Sequence, residues 1–522
     1  MFKNCCSTRS SLIWTIIVGL LLVGSFLLAF IGIPKIIESQ IHAQTCLKND
    51  TDQWDRFVEI PFDLNYTVRF FIVNNTKDIK NGKAPQLVES SPYNYKLKIK
   101  KTNLRFDDFN EDSVTYKRIF SFQFDTSGST SENEEITIVN PLLMASFQLT
   151  SAITRLALAG CIDKLLKPAG LNGLFLTKSV KSLLFEGMPF AFKNDTKVGV
   201  ACGIVRNKLY EMAETIRVLE HVTEGDEYIR LAFFNYKTVN YLKDSPDGTY
   251  TVNRGIDDMD MLGTIMRWNG GTEIPTYGTM QSTNNLTCQT LKGTDSTIYR
   301  PKLPENEDLI IFNTDLCRTV KLSFVAANET YMDIKANRYE TNQNFFKPST
   351  LIKEKDCYCS KATKDLKNED NCYLDGLFDF KPCIGVPLLV SHPHFLFADS
   401  KYQQSVKGLN PVSDLHNNYL LVEPNTGSPL VGLKRIQINS VFRKESLISF
   451  ITPPTMYEVV FPVLWLEESF RLPQHYVDII NDQYFSKVKL ASGLKYGLIA
   501  VLASFFAGCL YFCISKHCTS VN

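Results

Sequence analysis

No motif in this sequence carries a recognisable catalytic chemistry. Gly-x-Ser-x-Gly, His-Glu-x-x-His, a phosphate-cradling glycine loop and a dinucleotide fingerprint are all missing. The expectation is a protein that is not an enzyme and needs no cofactor. An excess of one charge is missing too. Lys and Arg number 56 against 55 Asp and Glu, so no nucleic acid or other polyanion is an expected partner. Histidine is scarce, at 7 residues, and only His392-Pro393-His394 sets two close together. Inside the apolar run 388–397, alternating histidines read as one face of a strand. No metal site is expected.

Charge disappears altogether from two runs, 12–33 and 496–515. At about 1.5 Å per residue, each can cross a hydrocarbon core of about 30 Å. The first is too long for a signal-peptide core, and no small-x-small site follows at Ile31-Gly32-Ile33-Pro34. It therefore reads as an uncleaved anchor. The expected plan is a cytoplasmic tail 1–11, a span 12–33, an outside body 34–495, a span 496–515 and a cytoplasmic tail 516–522. Lysines flank both runs and orient the chain weakly. Glycosylation sequons orient it better. Six occur, at Asn49, Asn65, Asn74, Asn194, Asn285 and Asn328, all between the runs. Ala500, Ser504 and Gly508 form a small-residue stripe in the second run, with Ser25 and Ala29 as a matching patch in the first. The two spans are expected to pack together or against another protein.

Cysteines divide by location. Cys5, Cys6, Cys509, Cys513 and Cys518 lie in or beside the spans, and Cys5, Cys6, Cys513 and Cys518 are candidates for palmitoylation. Outside remain Cys46, Cys161, Cys202, Cys288, Cys317, Cys357, Cys359, Cys372 and Cys383. The last six cluster in 288–383, which in an oxidising compartment reads as a disulfide-rich region. Zinc is disfavoured because Cys357-Tyr358-Cys359 lacks a second paired motif. The outside number is odd, so one cysteine there is left over or pairs with another chain.

Strand signals dominate the body. Tyr93, Tyr95, Leu97 and Ile99 alternate with Asn94, Lys96, Lys98 and Lys100. Phe120, Phe122 and Phe124 repeat the period, as do residues 435–438. Aromatics are plentiful, with 35 Phe and 22 Tyr, which suits a β-rich body with an apolar cavity. Helical signals concentrate in 140–221. One helix is expected from Asn140-Pro141 to Lys167, a second over 179–186 closed by Gly187, and a third over 205–222. Lysines 164, 167, 178 and 181 in this lobe suit a carboxylate or anionic ligand, although solvating a helix face is the commoner use of such residues.

Several stretches in order along the chain resemble the class B scavenger receptors. They are Ser91-Pro92-Tyr93, Asn140-Pro141-Leu142-Leu143, Asp247-Gly248-Thr249-Tyr250, Gly293-Thr294-Asp295, Asp315-Leu316-Cys317-Arg318, Cys357-Tyr358-Cys359, Pro393-His394-Phe395, Gly408-Leu409-Asn410-Pro411 and Phe461-Pro462-Val463-Leu464-Trp465. Residues 179–187, 250–255 and 293–299 are most similar to the insect sensory neuron membrane protein branch, its second type above all. The resemblance implies an α+β membrane protein, with a large antiparallel β-barrel-like ectodomain, an apolar tunnel, an apical helical bundle and two transmembrane anchors. It implies the disulfides Cys288–Cys357, Cys317–Cys383 and Cys359–Cys372, gives Cys202 a counterpart in the insect branch, and leaves Cys46 and Cys161 unassigned. It places apical lysines, Lys164 or Lys167 here, near lipid carboxylates.

The function so implied is capture of hydrophobic, lipid-like ligands, fatty-acid-derived pheromones or odorants among them, and delivery through the tunnel. The lipid bilayer, an odorant receptor complex and a lipid-carrying binding protein are the implied partners. A scavenger or phagocytic receptor for lipids or lipoproteins is the alternative within the family. A two-span ion-channel subunit shares the layout, but Thr15, Ser25, Ser504 and Ser515 are the main polar positions in the spans, too few for a pore. The C-terminal tail lacks an acidic-dileucine sorting signal, and the plasma membrane is the expected location.

Overall fold

The computed structural model describes residues 8–107, 111–238, 247–275, 289–346 and 372–519. The chain forms two compact units. Leu47–Arg471 is one, and the residues before and after it form the other.

In the terminal unit, α1 (Thr8–Leu27) continues through a π turn at Leu28–Gly32 into α2 (Ile33–Thr45). Pro34 supplies the reason for the turn. It has no N–H, so the carbonyl one turn earlier loses its helical donor and the ladder slips by a residue. The helix therefore slips register before Pro34 and carries on well past the expected limit at 33.

The body is built on a 14-stranded antiparallel sheet. Twelve of its strands are β1 (Leu64–Val73), β2 (Tyr93–Phe106), β3 (Ser113–Phe124), β4 (Thr249–Asn253), β5 (Ile265–Trp268), β6 (Leu309–Asn313), β7 (Arg318–Tyr331), β8 (Ile334–Glu340), β9 (Leu388–Ser391), β10 (Tyr419–Glu423), β11 (Ser428–Phe442) and β12 (Val459–Arg471). Their spatial order is β5-β4-β3-β2-β1-β12-β11-β10-β8-β7-β6, with β9 beside β11. In β2 the expected alternation is present: Tyr93, Tyr95, Leu97 and Ile99 are buried. The opposite face is wet, and Lys96, Lys98 and Lys100 pair there with Asp125, Asp63 and Glu59. The buried face runs one step further than expected, to Lys101.

The sheet nearly closes into a barrel, and one dipeptide makes the join. Ile265 at the β5 edge donates to the Gly293 carbonyl (2.8 Å). Thr294 donates to Ile310 (3.1 Å) and accepts from Phe312 (2.8 Å) at the β6 edge. Both exposed edges are thereby paired, which removes the hazard of unsatisfied strand edges. Gly293 has φ +88°, and a Cβ there would lie 2.2 Å from the Ile310 carbonyl oxygen. Gly293→Ala is expected to cost about 2–3 kcal/mol, because strain and a backbone clash coincide. Thermal unfolding of the purified protein checks this; an unchanged midpoint would show that the join is dispensable.

The helical stretch differs from expectation in detail. Instead of one helix to Lys167 there are two, α3 (Pro141–Leu149) and α4 (Ala152–Leu165). Asn140 caps the first by accepting from the Leu143 N–H, and Ser151 caps the second by accepting from the Thr154 N–H. A competent cap in mid-run starts a new helix. Residues 179–186 are a strand end (Phe175–Ser179) followed by a π turn (Ser182–Glu186), closed by Gly187 at φ +80°. The third helix, α5, is Gly199–Ala213, and Leu219–Val222 is a strand. Ile216, Val218 and Val222 are β-branched residues that favour that outcome.

The C-terminal helix starts long before 496. It comprises α6 (Gln474–Ile480), a π turn Asn481–Phe485 and α7 (Ser486–Thr519). Among the described residues two helices are long and apolar enough to cross a membrane, Ile13–Thr45 and Gln474–Phe512. They touch: Lys495 Nζ lies 3.9 Å from the Phe30 ring centroid, and Phe506 packs against Gly19. The small-residue expectation is half corrected. Ser25 and Ala29 are buried, but Ala500, Ser504 and Gly508 are exposed. The half-buried seam of α7 is Ile499, Leu502, Phe506 and Cys509, a 3-4-3 spacing that keeps larger side chains toward α1.

Candidate functional site

Two features of the body combine unusual chemistry with position: the surface of α4 and α5, and the barrel interior. A disulfide between Cys161 and Cys202 staples α4 to α5. The sequence assigned no partner to Cys161, since the cysteines are 41 residues apart and only the packing of the two helices joins them. The outer face of this pair is apolar where a surface helix is normally polar. Ile153 is 85% exposed, Leu156 64%, Val200 86% and Ile204 64%. Gly160 and Gly203 lie among them with open space above. The short turn Ser446–Ile448 borders α4, held by an Arg155–Glu445 ion pair (3.7 Å), and Phe450 just beyond it is also exposed.

The predicted lysines separate here. Lys164 is exposed and donates to the Val198 carbonyl (3.3 Å), which sets its ammonium beside Gly199 at the start of α5. Lys167 is exposed at the turn Lys167–Ala169. Lys181 is tied to Glu186 (2.7 Å).

Inside the barrel lie two charge networks, the first buried and the second partly exposed. In the first, Lys101 Nζ donates to the Phe57 carbonyl (2.9 Å) and Thr297 Oγ1 (2.7 Å) and pairs with Asp295 (3.4 Å). Tyr116 donates to Asp295 Oδ2 (2.6 Å). Arg118 pairs with Asp247 and donates to the Tyr250 hydroxyl and the Asp295 carbonyl. Burial pushes the Lys101 ammonium down to about 8 against the pull of Asp295. Burial alone would raise Asp295; the Lys101 and Arg118 charges outweigh it and hold the carboxyl below its usual range. In the second network, Asp315 sits between Lys237 and Lys434 (2.8 Å), and Lys434 also reaches Glu468 (3.2 Å). The turn between β6 and β7 carries Thr314 and Asp315 and links both networks, because Thr314 contacts Asp247 and Tyr250. Three of the recognised motifs, 247–250, 293–295 and 315–318, are therefore the closure and cross-bracing of the barrel.

Around these charges the interior is aromatic. Tyr66 meets Phe122 (5.0 Å) and Phe234 (5.7 Å), and Phe185 from the π turn meets Phe122 and Tyr95 (both 5.0 Å). Phe122 and Phe185 remain partly exposed. Periodicity could not assign Phe185 to this cluster, since a π turn has no period that a sequence displays.

Cys317 and Cys383 are joined (2.00 Å), and Cys372 is disulfide-bonded. Cys288, Cys357 and Cys359 lie outside the described residues, as do Asn285, Cys5, Cys6 and the side chains of Cys513 and Cys518. Asn49, Asn65, Asn74, Asn194 and Asn328 are all exposed, and Asn328 occupies a left-handed position (φ 60°) in a bulge of β7. The two histidines do not share a strand face. His392 follows β9 among phenylalanine rings, whereas His394 sits in a tight turn at φ 54°, bonds Glu89 (2.5 Å) and accepts from the Asn410 N–H (3.1 Å). Pro393 breaks the alternation between them. Among the described residues no three His, Cys, Asp or Glu side chains converge on a metal position.

Comparison with known proteins gives this architecture a family. Sensory neuron membrane protein 2 of Anopheles gambiae is 28% identical over 541 aligned positions, covering 94% of this chain and 91% of that protein. The protein of the same name from Heliothis virescens is 30% identical, covering 92% and 90%. Sensory neuron membrane protein 1 of Helicoverpa assulta is 29% identical, covering 92% and 87%. Residues 16–513, from the first apolar helix through the barrel to the last, match the CD36 family, and the chain belongs to it.

Proposed function

We propose that this protein is a two-pass receptor of the plasma membrane, with both ends cytosolic, that captures hydrophobic lipid-like ligands and delivers them through the barrel to the membrane or to a neighbouring receptor. Fatty-acid-derived pheromones or odorants are the ligand class, in keeping with the sensory neuron names of its relatives. An odorant receptor complex and a lipid-carrying binding protein are the proposed partners. The observation that carries the reading is the exposed apolar face of α4 and α5, held rigid by Cys161–Cys202. Such a face gains about 1.5–3 kcal/mol for each large side chain it buries against an apolar partner. Lys164 at its edge suits the carboxylate or ester head of such a ligand.

The test is transfer of a labelled fatty ester into cells that display the full-length protein. The paired substitution Leu156→Asp and Ile204→Asp is expected to lower transfer at least about tenfold at equal surface level. Transfer at the wild-type rate would remove the apical face from the mechanism. Orientation has its own check. Asn49→Gln, Asn65→Gln, Asn74→Gln, Asn194→Gln and Asn328→Gln are expected to speed gel migration, one glycan at a time. If all five migrate like wild type, the body does not face the lumen or the exterior.

A further inference from the structure

We infer that His392 selects, among apolar ligands, those that carry a hydrogen-bonding oxygen: an ester, an aldehyde or an alcohol. The inference rests on the lipid-capture reading above and names the ligand chemistry that reading leaves open.

His392 is 2% exposed, and neither ring nitrogen has a hydrogen-bond partner among the described residues. Its neighbours are rings: Phe346 at 5.1 Å, Phe397 at 5.5 Å and Phe345 at 6.1 Å. The imidazole faces the barrel core. Leu388 and Val390 of β9 belong to the large core cluster that includes Tyr66, Val68 and Phe70, while Leu389 belongs to a separate cluster on the other face. His392 is still extended (φ −64°, ψ 152°), so the alternation carries it to the side of Leu388 and Val390. Phe345 and Phe346 are members of that same core.

An apolar side chain at 392 would satisfy every neighbour. A buried imidazole with both nitrogens orphaned lowers stability instead, and such local violations concentrate at functional positions. The other histidines of this region show the contrast. His394 is bonded through both nitrogens, and His416 Nδ1 accepts from the Val412 N–H (2.9 Å). A neutral imidazole offers one donor and one acceptor. It matches a carbonyl oxygen or a hydroxyl on an acyl chain and gives nothing to a plain hydrocarbon. A ligand without the oxygen leaves the ring as unsatisfied as before, which is how a buried polar group discriminates.

The experiment measures binding of a radiolabelled alkane, alcohol and methyl ester of one chain length to the full-length protein in lipid nanodiscs. Wild type, His392→Leu and His392→Gln are compared, each with its thermal midpoint. Expected is a wild-type preference for the alcohol and ester over the alkane, reduced about tenfold in His392→Leu, with alkane binding intact and a higher midpoint. His392→Gln, which keeps a donor and an acceptor, is expected to retain part of the preference. The same preference in wild type and His392→Leu overturns the inference and leaves lipid capture standing. Failure of all three ligands, the alkane included, to bind wild type overturns lipid capture and this inference together.

Discussion

Asp315→Asn is expected to cost the fold about 1–3 kcal/mol, below the penalty for breaking a fully buried ion pair because Asp315 and its two lysines keep some contact with water. Asp315 carries the only negative charge in direct contact with both Lys237 and Lys434 among the described residues. Burial alone would raise its pKa, yet the two ammonium groups hold the carboxyl below its usual range, so it is ionised at neutral pH. The neutral amide leaves the largely enclosed Lys237 without its counter-ion and Lys434 with only Glu468. The loss spreads, because Thr314 beside it ties the first network to the same turn. Glu468→Gln serves as the control. Glu468 is partly exposed, and its removal should cost under about 1 kcal/mol. Chemical unfolding of both variants in detergent measures the difference, and equal midpoints would sink the cross-bracing role.

Acidification from pH 7 to pH 5 is expected to remove about 4 kcal/mol of stability through His392 and His416. Burial lowers His392 to about 3. Burial, with the neighbouring His394 next, lowers His416 to about 4; Arg435 and Arg69 oppose its charge as well, and Glu89 favours it. Both folded values lie below the unfolded value of 6.5. The stabilisation is therefore fully present above 6.5, and it is lost as pH falls toward 4 and 3, because the unfolded chain takes up protons that the folded one refuses. At pH 5 each ring contributes about 2 kcal/mol of loss, at about 1.36 kcal/mol per pH unit. Unfolding midpoints at pH 7 and pH 5 test this. His392→Phe should halve the acid sensitivity, and His392→Phe with His416→Gln should remove most of it. An unchanged pH dependence in the double variant would assign the acid response to other groups.

The local rules were legible wherever one face of an element meets water. The alternation at Tyr93–Ile99 is such a case, because Lys96, Lys98 and Lys100 mark the wet side. Helix limits were less legible. Ser151 could be a solvated residue in a long helix or the cap of a new one, and only the packing of α4 against α5 selects the second. Lys101 and Arg118 gave no sign of burial, since a lysine or arginine in a strand normally lies outside. Their partners Asp295 and Asp247 are far along the chain, and closure of the sheet is what brings them close.

Two uncharged runs, a neutral balance of charge, the sequons between the runs and the order of short motifs sufficed to indicate a two-pass, β-rich membrane protein of one family. Those properties depend on composition and on periods of two or a few residues, which a linear sequence displays. Tertiary structure alone decided that Gly293 and Thr294 join the sheet edges, that Cys161 meets Cys202, that the apolar faces of α4 and α5 lie open and that His392 points inward without a hydrogen-bond partner among the described residues. Each depends on residues distant in sequence arriving at one place, and local propensity holds no information about that meeting.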